Sequence, residues 1–340
     1  MANNSKGFLT MSNLLQNAIS PNSTPKNAPI LDTLEHLDHV QCLQGLQPKK
    51  DTLKQKAKNS YFSKALSKKL MQLDSKLKKP YKRTHYDCCK LLVQEGNKLT
   101  SRYCKARWCN VCNRIRTAHL MNGYLKPLQA LENPYFVTLT IPNVKGADLK
   151  HSVREMISTS RNIIRSFKRH KMAINGIRKT ECTYNEWTDL YHPHFHYLVD
   201  GKENAQLLID EWLLRNPNCD WQAQHYVKAD VNSLKELFKY QCKIVTKTKN
   251  KGYAIYIKPL DIIFNAFKGM RTFQSFGNIK KVSEDITEIQ TEIYNDIPQY
   301  EFALFKWEKH DWQNMGNGEM LTNYKPSKKM IELTTTKMII

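Results

Sequence analysis

The clearest structural pattern in this chain is Tyr191-His-Pro-His-Phe-His-Tyr-Leu-Val199. Its side chains alternate in character, and this predicts a β-strand with two distinct faces. His194 and His196 then lie side by side on one face, while Phe195 and Tyr197 pack on the other. Three histidines within five residues favour metal ligands over unrelated core or surface histidines.

The preceding segment supplies a carboxylate for the same face. Residues 176–184 alternate as well, and a short polar connection leads from them into the histidine strand, which predicts a hairpin. If residues whose numbers sum to about 375 are paired, Glu181 lies opposite His194, with His192 as an additional contact beside the turn. Imidazole nitrogens and a carboxylate with open coordination positions suit Mg²⁺ or Mn²⁺. The alternative for Glu181 is a surface carboxylate on an edge strand.

A cluster of cysteines forms a second candidate metal site. The spacing Cys104-x4-Cys109-x2-Cys112, with Cys88 or Cys89 upstream, provides two close pairs that can surround a tetrahedral Zn²⁺. The alternative is a group of free buried thiols. Trp108 and Tyr103 are interspersed with basic residues here, which predicts contact with DNA by Arg102, Lys105, Arg107, Arg114 and Arg116.

A helix predicted from Ser233 to about Lys247 carries the third candidate group. Glu236 and Tyr240 are four residues apart, and Lys243 follows three residues later, so a carboxylate, a phenol and an ammonium share one face. A phenol becomes a nucleophile when a cation stabilises its phenolate, and the carboxylate can activate water. Alternatively, Ser233 and Glu236 form a capping box and Glu236 only caps the helix.

The composition points to a polyanionic partner. The 340 residues include 53 Lys and Arg against 31 Asp and Glu, a formal charge of +22. Residues 49–83 hold thirteen basic residues and two Asp, a net +11, on the pattern of an amphipathic helix. Such charge favours nucleic acid over an acidic membrane surface. No apolar run is long enough to span a membrane, and no secretory signal opens the chain, which predicts a cytoplasmic location with reduced thiols.

Helices and antiparallel hairpins follow one another without a regular βαβ rhythm, which indicates an α+β fold. Taken together, the motifs resemble the rolling-circle replication initiators (Rep proteins) of small plasmids, members of the HUH endonuclease superfamily, in the branch with one tyrosine and a nearby glutamate. The resemblance covers about residues 85–285. The stretches that carry it, in the family's order, are Asp87-Cys88 with Leu92, Arg102–Cys112, Phe136–Thr140, Tyr191–His196, Glu236 with Lys239–Lys243, and Phe267–Lys281.

The resemblance implies a central antiparallel sheet with the histidine strand in its middle, flanked by helices, beside a small zinc knuckle. It implies Cys88 rather than Cys89 as the fourth cysteine ligand, and His194 and His196 as ligands of the catalytic metal. It also implies a site-specific DNA endonuclease and strand transferase. Tyr240 attacks one strand of the plasmid origin, single-stranded or in a hairpin, leaving a 5′-phosphotyrosine and a free 3′-OH primer, and Glu236 supports hydrolysis at termination. A host helicase and a single-strand-binding protein are the expected partners.

The sequence leaves three alternatives open. An HUH transposase or relaxase uses the same chemistry, although a relaxase usually carries its tyrosine ahead of the histidines. A non-enzymatic zinc-containing DNA-binding regulator explains the charge and the cysteines but not the histidine strand, and a metallohydrolase without a covalent step makes Tyr240 dispensable. The predicted organisation is a flexible segment 1–48, a basic helix 49–83, a cysteine-rich element 84–119, a nicking domain 133–285 and a tail 286–340.

Overall fold

The structure is a computed structural model that describes residues 52–239, 242–248, 252–282, 291–293 and 300–340. These residues form two compact units. Within them, the hairpin unit comprises 119–239, 242 and 269–282, and the cysteine unit comprises 52–118, 243–248, 252–268, 291–293 and 300–340. The predicted flexible segment 1–48 lies outside the described residues.

The helices are numbered here in chain order. Within the described residues they are α1 (Thr52–Leu70), α2 (Lys78–Tyr86), α3 (Asn110–Gln129), α4 (Leu149–Arg169), α5 (Lys202–Arg215), α6 (Val231–Phe238), α7 (Ile257–Ala266) and α8 (Lys328–Thr335). A short 3₁₀ helix spans Trp221–Ala223. None of the described helices combines the length and the apolar character that crossing a membrane requires.

The strands are numbered in the same way. They are β1 (Leu91–Gly96), β2 (Lys98–Ser101), β3 (Pro134–Thr140), β4 (Gly176–Asn185), β5 (Leu190–Asp200), β6 (His225–Lys228), β7 (Thr246–Lys247), β8 (Tyr253–Tyr256), β9 (Phe273–Phe276), β10 (Thr291–Ile293), β11 (Tyr300–Glu308), β12 (Asp311–Asn314) and β13 (Met338–Ile339). The predicted α+β class, with antiparallel sheets and flanking helices, is confirmed.

The hairpin unit is built on a five-stranded antiparallel sheet with the order β6-β3-β5-β4-β9. The histidine strand β5 is therefore the middle strand, as the resemblance implied. Phe195 and Tyr197 lie on the face that packs in a core with side chains of α4 and α5. On the other face, Leu198 packs with Leu234 and Leu237 of α6. Both faces of the sheet are thus covered, and α6 lies on the histidine side.

The cysteine unit contains a second five-stranded antiparallel sheet, ordered β10-β2-β1-β11-β12. Its core joins the cysteines of the 84–119 element to Phe305 and Trp312 from the C-terminal segment. A small sheet, β13-β8-β7, holds β13 parallel to β8. The predicted tail 286–340 therefore supplies strands and core side chains to this unit.

The basic stretch predicted as one helix over 49–83 forms two helices, α1 and α2. At the break, Ser75 donates its hydroxyl to Asp261 Oδ1 at 2.5 Å and accepts the backbone N–H of Leu77 at 3.0 Å. Two of the lysines, Lys56 and Lys64, are buried rather than solvated. The segment is thus part of the core of its unit, and its lysines do not all lie on a free basic face.

The helix predicted to start at Ser233 and to run to about Lys247 is also different. It starts at Val231 with Asp230 as its N-cap, and it ends at Phe238. Asp230 accepts the N–H of Ser233 at 2.7 Å, while the hydroxyl of Ser233 accepts the N–H of Asp230 at 3.2 Å. Ser233 is therefore the third helical residue of the capping box, and the alternative in which Glu236 belongs to that box is wrong.

Candidate active site and thiolate cluster

The hairpin β4–β5 brings a carboxylate and two imidazoles together. Glu181 is paired with His194 across the hairpin, so the predicted register, in which paired numbers sum to 375, is confirmed. One ligand atom from each of Glu181, His194 and His196 lies within 4.8 Å of the other two. His194 and His196 are paired with β3 on one side and β4 on the other, and Glu181 is paired with His194, so backbone pairing holds the group in place.

Hydrogen bonds orient the two imidazoles. His194 Nδ1 lies 3.1 Å from the carbonyl oxygen of His192, and because a carbonyl can only accept, we assign the proton to Nδ1. The Nε2 lone pair then faces Glu181 Oε2, at 3.8 Å. His196 Nδ1 lies 3.3 Å from Thr138 Oγ1. This is the arrangement by which proteins fix the tautomer of a metal-binding histidine.

The electrostatics keep His196 neutral. Burial lowers the pKa of His196 to about 4, an effect that the charge of Glu181 only partly offsets. Its ring also stacks on Phe136, with the ring centroids 5.0 Å apart. Near pH 7 the imidazole is therefore deprotonated and available as a ligand without loss of a proton.

Sequence reasoning missed Lys179, which links the hairpin to α6. The ammonium of Lys179 is buried, contacts Glu181 Oε1, and donates to the backbone carbonyl of Glu236 at 2.7 Å. Lys179 lies two residues before Glu181 on the same strand face, so strand alternation could have identified it. It holds one carboxylate oxygen of Glu181 and leaves the other directed to the histidines.

The three side chains fit a divalent cation. The two nitrogens and one oxygen are a donor set that Mn²⁺ and Mg²⁺ accept. Glu181 and His194 are both buried, and within the described residues Lys179 is the cationic side chain that pairs with Glu181. Ligand atoms at about 2.1 Å from a metal are at most ~4.2 Å apart, so the group closes on an ion with small shifts. Three protein ligands leave positions open for a phosphate oxygen.

Glu236 lies on α6, next to this group. Its carboxylate pairs with Lys239 Nζ at 2.5 Å. Burial alone would raise the pKa of Glu236, but the hydrogen bond and charge of Lys239, with further help from Lys179, bring it below its usual value. The negative charge of Glu236 also raises the pKa of His196, although burial outweighs this effect. An ionised carboxylate thus stands on the histidine side of the sheet.

The other two members of the predicted helix-face group are not placed there by the structure. Tyr240 lies outside the described residues. Lys243 is exposed, lies beyond the end of α6 and belongs to the cysteine unit. The argument that Glu236, Tyr240 and Lys243 share one helical face is wrong, because the helix ends at Phe238.

Four cysteine sulfurs form a compact cluster in the other unit. Cys88 Sγ lies 3.8 Å from Cys109 Sγ and 3.7 Å from Cys112 Sγ, and Cys104 Sγ lies 3.5 Å from Cys112 Sγ. A tetrahedral site with Zn–S bonds of about 2.3 Å requires sulfurs ~3.8 Å apart. The group that can hold a metal contains Cys88 and not Cys89, which lies beside it.

The surroundings of the sulfurs suit thiolates. Backbone N–H groups of Cys104, Lys105 and Ala106 donate to sulfurs of the cluster at 3.3 to 3.5 Å. The buried ammonium of Lys64 donates to the carbonyls of His85 and Cys88, both at 3.0 Å. The charge of Lys64 acts on the cysteines, as does that of Arg116. Two cations thus face a cluster that would carry two net negative charges around Zn²⁺.

Several residues predicted to touch DNA are engaged within the cysteine unit. Arg107 Nη1 donates to the carbonyl of Phe267 at 3.0 Å, and Arg116 Nη2 donates to that of Lys105 at 2.7 Å. Both aromatic residues are buried: Trp108 donates to Thr84 Oγ1, and Tyr103 accepts from Lys56. They belong to the core and offer no stacking surface. Arg102 and Lys105 are exposed, and Arg114 is half-buried.

Comparison with known proteins gives a match over the part of the chain that carries most of both groups. Residues 97–204 match a family model described as Replication protein. This range includes Glu181, His194, His196 and three of the four clustered cysteines, and it ends before Glu236 and Tyr240.

Several similar proteins carry the name Protein rep. A Bacillus amyloliquefaciens "Protein rep" is 34% identical over 108 residues, 30% of this chain and 32% of the relative. A Staphylococcus aureus "Protein rep" is 34% identical over 102 residues, 28% of this chain and 44% of the relative. A Lactiplantibacillus plantarum "Protein rep" is 25% identical over 210 residues, 54% of this chain and 66% of the relative. The chain thus spans less than half the length of the first two.

No solved structure matches the chain. The sequence motifs, the α+β fold built around the histidine strand, and the matched region all point to the same kind of protein. The resemblance of this chain to the plasmid rolling-circle replication initiators is therefore confirmed, with residues 97–204 as the matched region.

Proposed function

We propose that this protein starts plasmid replication by nicking one strand of the origin and holding the new 5′ end covalently. One observation carries the proposal: an open group of Glu181, His194 and His196 lies on the sheet face that also carries α6. Lys239, the residue that follows the end of α6, is followed directly by Tyr240 in the sequence. The proposed nucleophile thus follows in sequence directly after the C-cap residue of the helix that lies on the proposed phosphate-binding face.

The reaction itself is a displacement at phosphorus. The phenolic oxygen of Tyr240 forms a bond to the phosphorus of the scissile phosphodiester, and the bond from phosphorus to the 3′ oxygen breaks. The phenolic proton passes to solvent, and the departing 3′ oxygen takes up a proton to become the primer hydroxyl. One phosphodiester replaces another, so no other reactant is consumed and the bond energy is kept for strand transfer.

The chain's own residues supply position and charge. Mg²⁺ or Mn²⁺ held by Glu181, His194 and His196 would supply Lewis-acid polarisation of a phosphate oxygen. Lys179 fixes the carboxylate of Glu181 and ties α6 to the hairpin through the carbonyl of Glu236. Such positioning accounts for most of the catalysis in phosphoryl transfer. The predicted role of Lys243 in stabilising the phenolate remains a proposal that rests on its position in the motif alone.

Glu236 is proposed to finish the cycle. Its ionised carboxylate accepts a proton from water, and the water oxygen then displaces Tyr240 from phosphorus. The Cys88, Cys104, Cys109 and Cys112 cluster is proposed to hold a structural Zn²⁺ in the cysteine unit. Origin DNA is the expected substrate, with a host helicase and a single-strand-binding protein as partners in the cytoplasm, where thiols remain reduced.

The deciding experiment follows the covalent adduct. Tyr240→Phe removes one oxygen, and we expect it to abolish both nicking of a labelled single-stranded origin oligonucleotide and the adduct on a denaturing gel. Tyr226→Phe is the matched control, because Tyr226 packs in the core on the opposite sheet face; it should nick normally. An adduct formed by Tyr240→Phe would reject Tyr240 as the nucleophile.

A second pair of variants separates hydrolysis from helix stability. Glu236→Gln should still form the adduct, which then persists because the water lacks its base. Asp230→Ala removes the actual N-cap and should cost about 0.5–2 kcal/mol of stability without making the adduct persist. If Glu236→Gln turns over its adduct as fast as the unaltered protein, another group activates the water.

A further inference from the structure

The sheet face opposite the histidines carries a groove that none of the motifs uses. It lies between α4 and the segment that leads into the edge strand β9, and it has a volume of about 660 Å³. A smaller cavity of about 190 Å³ continues it and shares Arg161 and Gln274 with it. We call both together the arginine groove, after the arginines that line it: Arg154, Arg161, Arg165, Arg178 and Arg271.

The five arginines of this groove outnumber its carboxylates. Glu155 is the acidic residue among those that line it in the described chain, and its carboxylate pairs with His151 at 3.0 Å. In the described residues, no ion pair reaches Arg154, Arg161, Arg165 or Arg271. The groove therefore attracts an anion from outside the protein.

Arg178 forms the floor of the groove. Only 3% of its surface is exposed, and its alternation with Lys179 directs it away from the histidine face. Its Nη1 donates to Ser160 Oγ at 2.6 Å and its Nη2 to Gln274 Oε1 at 3.2 Å, while Nε is buried without a partner. Burial lowers its pKa, and its partners are neutral. A buried guanidinium without a counter-ion is costly, and an anion in the groove would offset that cost.

The spacing along α4 suits a chain of anions rather than a single one. Arg154, Ser158, Arg161 and Arg165 are separated by four, three and four residues, so they form one stripe along the helix. Eleven residues of helix span ~16 Å. Along the axis of B-DNA, consecutive phosphates of one strand advance by ~3.4 Å each, so a stripe of this length spans several phosphates.

We propose that the arginine groove binds the phosphodiester backbone of DNA, on a segment other than the one that is cut. The histidine face would hold the scissile phosphate, while the opposite face would grip another part of the same DNA. The contacts are to phosphate, so they supply affinity and placement rather than base recognition.

The test compares two triple variants of the full chain on α4. Arg154→Gln with Arg161→Gln and Arg165→Gln removes three charges that line the groove. Lys150→Gln with Lys168→Gln and Arg169→Gln removes the same charge from exposed residues of the same helix that do not line it. Binding to a labelled oligothymidylate and to a labelled mixed-sequence duplex is measured by fluorescence anisotropy between about 50 and 200 mM salt.

We expect the groove variant to lose about tenfold or more in affinity for at least one probe. The slope of log affinity against log salt should decrease in magnitude by about 2–3, while the control changes it by less than about 1. Loss of affinity for the oligothymidylate would show that the groove binds single-stranded DNA, and loss of affinity for the duplex that it binds double-stranded DNA. No loss on either probe, or equal loss in the control, would overturn the inference.

The outcome is distinguishable from that of the proposed nicking. An unchanged melting temperature shows that the groove variant is folded. If the unaltered chain forms no covalent adduct but the salt slope still depends on the groove, the nicking proposal fails and this one stands. If the unaltered chain forms the adduct and the groove variant binds DNA normally, the nicking proposal stands and the groove proposal fails.

Discussion

The two candidate metal sites of this chain differ in every respect that separates structural from catalytic sites. Four sulfurs surround the space in the cysteine unit, and their side chains are part of its hydrophobic core. In the hairpin unit, two nitrogens and one oxygen stand on a sheet face, with coordination positions left open. A closed thiolate site contributes folding energy, whereas an open N/O site binds a metal that can still accept substrate.

The way each site is built reflects the same difference. The sulfurs come from a turn, a loop and a helix, and the metal itself would hold these pieces together. The Glu181, His194 and His196 group comes from two paired strands whose register is fixed by the backbone. Removing metal should therefore damage the structure of one unit and only the chemistry of the other.

The largest expected effect is on the cysteine unit. Cys109→Ser should lose the zinc, which we expect at about one per chain, and should unfold this unit, since structural zinc contributes on the order of 10 kcal/mol. Metal analysis and circular dichroism measure both. Cys89→Ser should keep its zinc, because Cys89 lies outside the group of four. A well-folded chain without zinc would show that the four cysteines are not a structural zinc site.

The next effect is on the hairpin unit and should leave its structure intact. His194→Ala combined with His196→Ala should reduce nicking by about 10³-fold or more, as expected for loss of a metal that stabilises charge by several kcal/mol. DNA affinity and melting temperature should stay nearly unchanged, because basic residues supply most of the affinity. His170→Ala, on an exposed residue after α4, is the control. Full activity in the double variant would remove the catalytic metal from the proposal.

The smallest effect concerns pH. The pKa of His196 is about 4 in the folded chain, against about 6.5 when it is unfolded. Between these values the unfolded chain binds a proton that the folded chain does not, so stability falls as the pH decreases through this window. His196→Phe keeps an aromatic ring beside Phe136 and removes this dependence.

The measurement is the difference in melting temperature between pH 7 and pH 5, without added divalent metal. We expect this difference to be smaller by about 2–4 °C in His196→Phe than in the unaltered chain. An identical difference in both proteins would show that this imidazole is not held neutral by its surroundings. The cysteine unit is unaltered in both and serves as an internal reference.

What the sequence predicted best was governed by short-range geometry. The alternation in β4 and β5 set both the faces and the register, and this was sufficient to place Glu181 opposite His194. The C-x-x-C spacing likewise identified Cys104, Cys109 and Cys112, whereas the choice of Cys88 over Cys89 came from the family resemblance. Local periodicity is sufficient where one hairpin or one turn brings all the groups together.

The errors arose where local patterns compete or where partners are distant. Cys242, Ile244 and Val245 continue the apolar pattern of α6 and are buried, yet the helix ends at Phe238. A short apolar run fits a helix and an extended segment equally well. The pairing of β1 with β11 joins Leu91 to Lys306, more than two hundred residues apart, and no window along the chain contains it.

The same long-range pairing sets an order of assembly during synthesis. The described parts of the hairpin unit end at residue 282, whereas the cysteine unit draws its core from α1 at one extreme and from Trp312 and Tyr324 at the other. On a ribosome, the histidine hairpin can therefore be complete while the cysteine unit still lacks three of the five strands of its central sheet. Nascent chains halted before β11 should thus hold a folded hairpin and an unprotected set of reactive thiols.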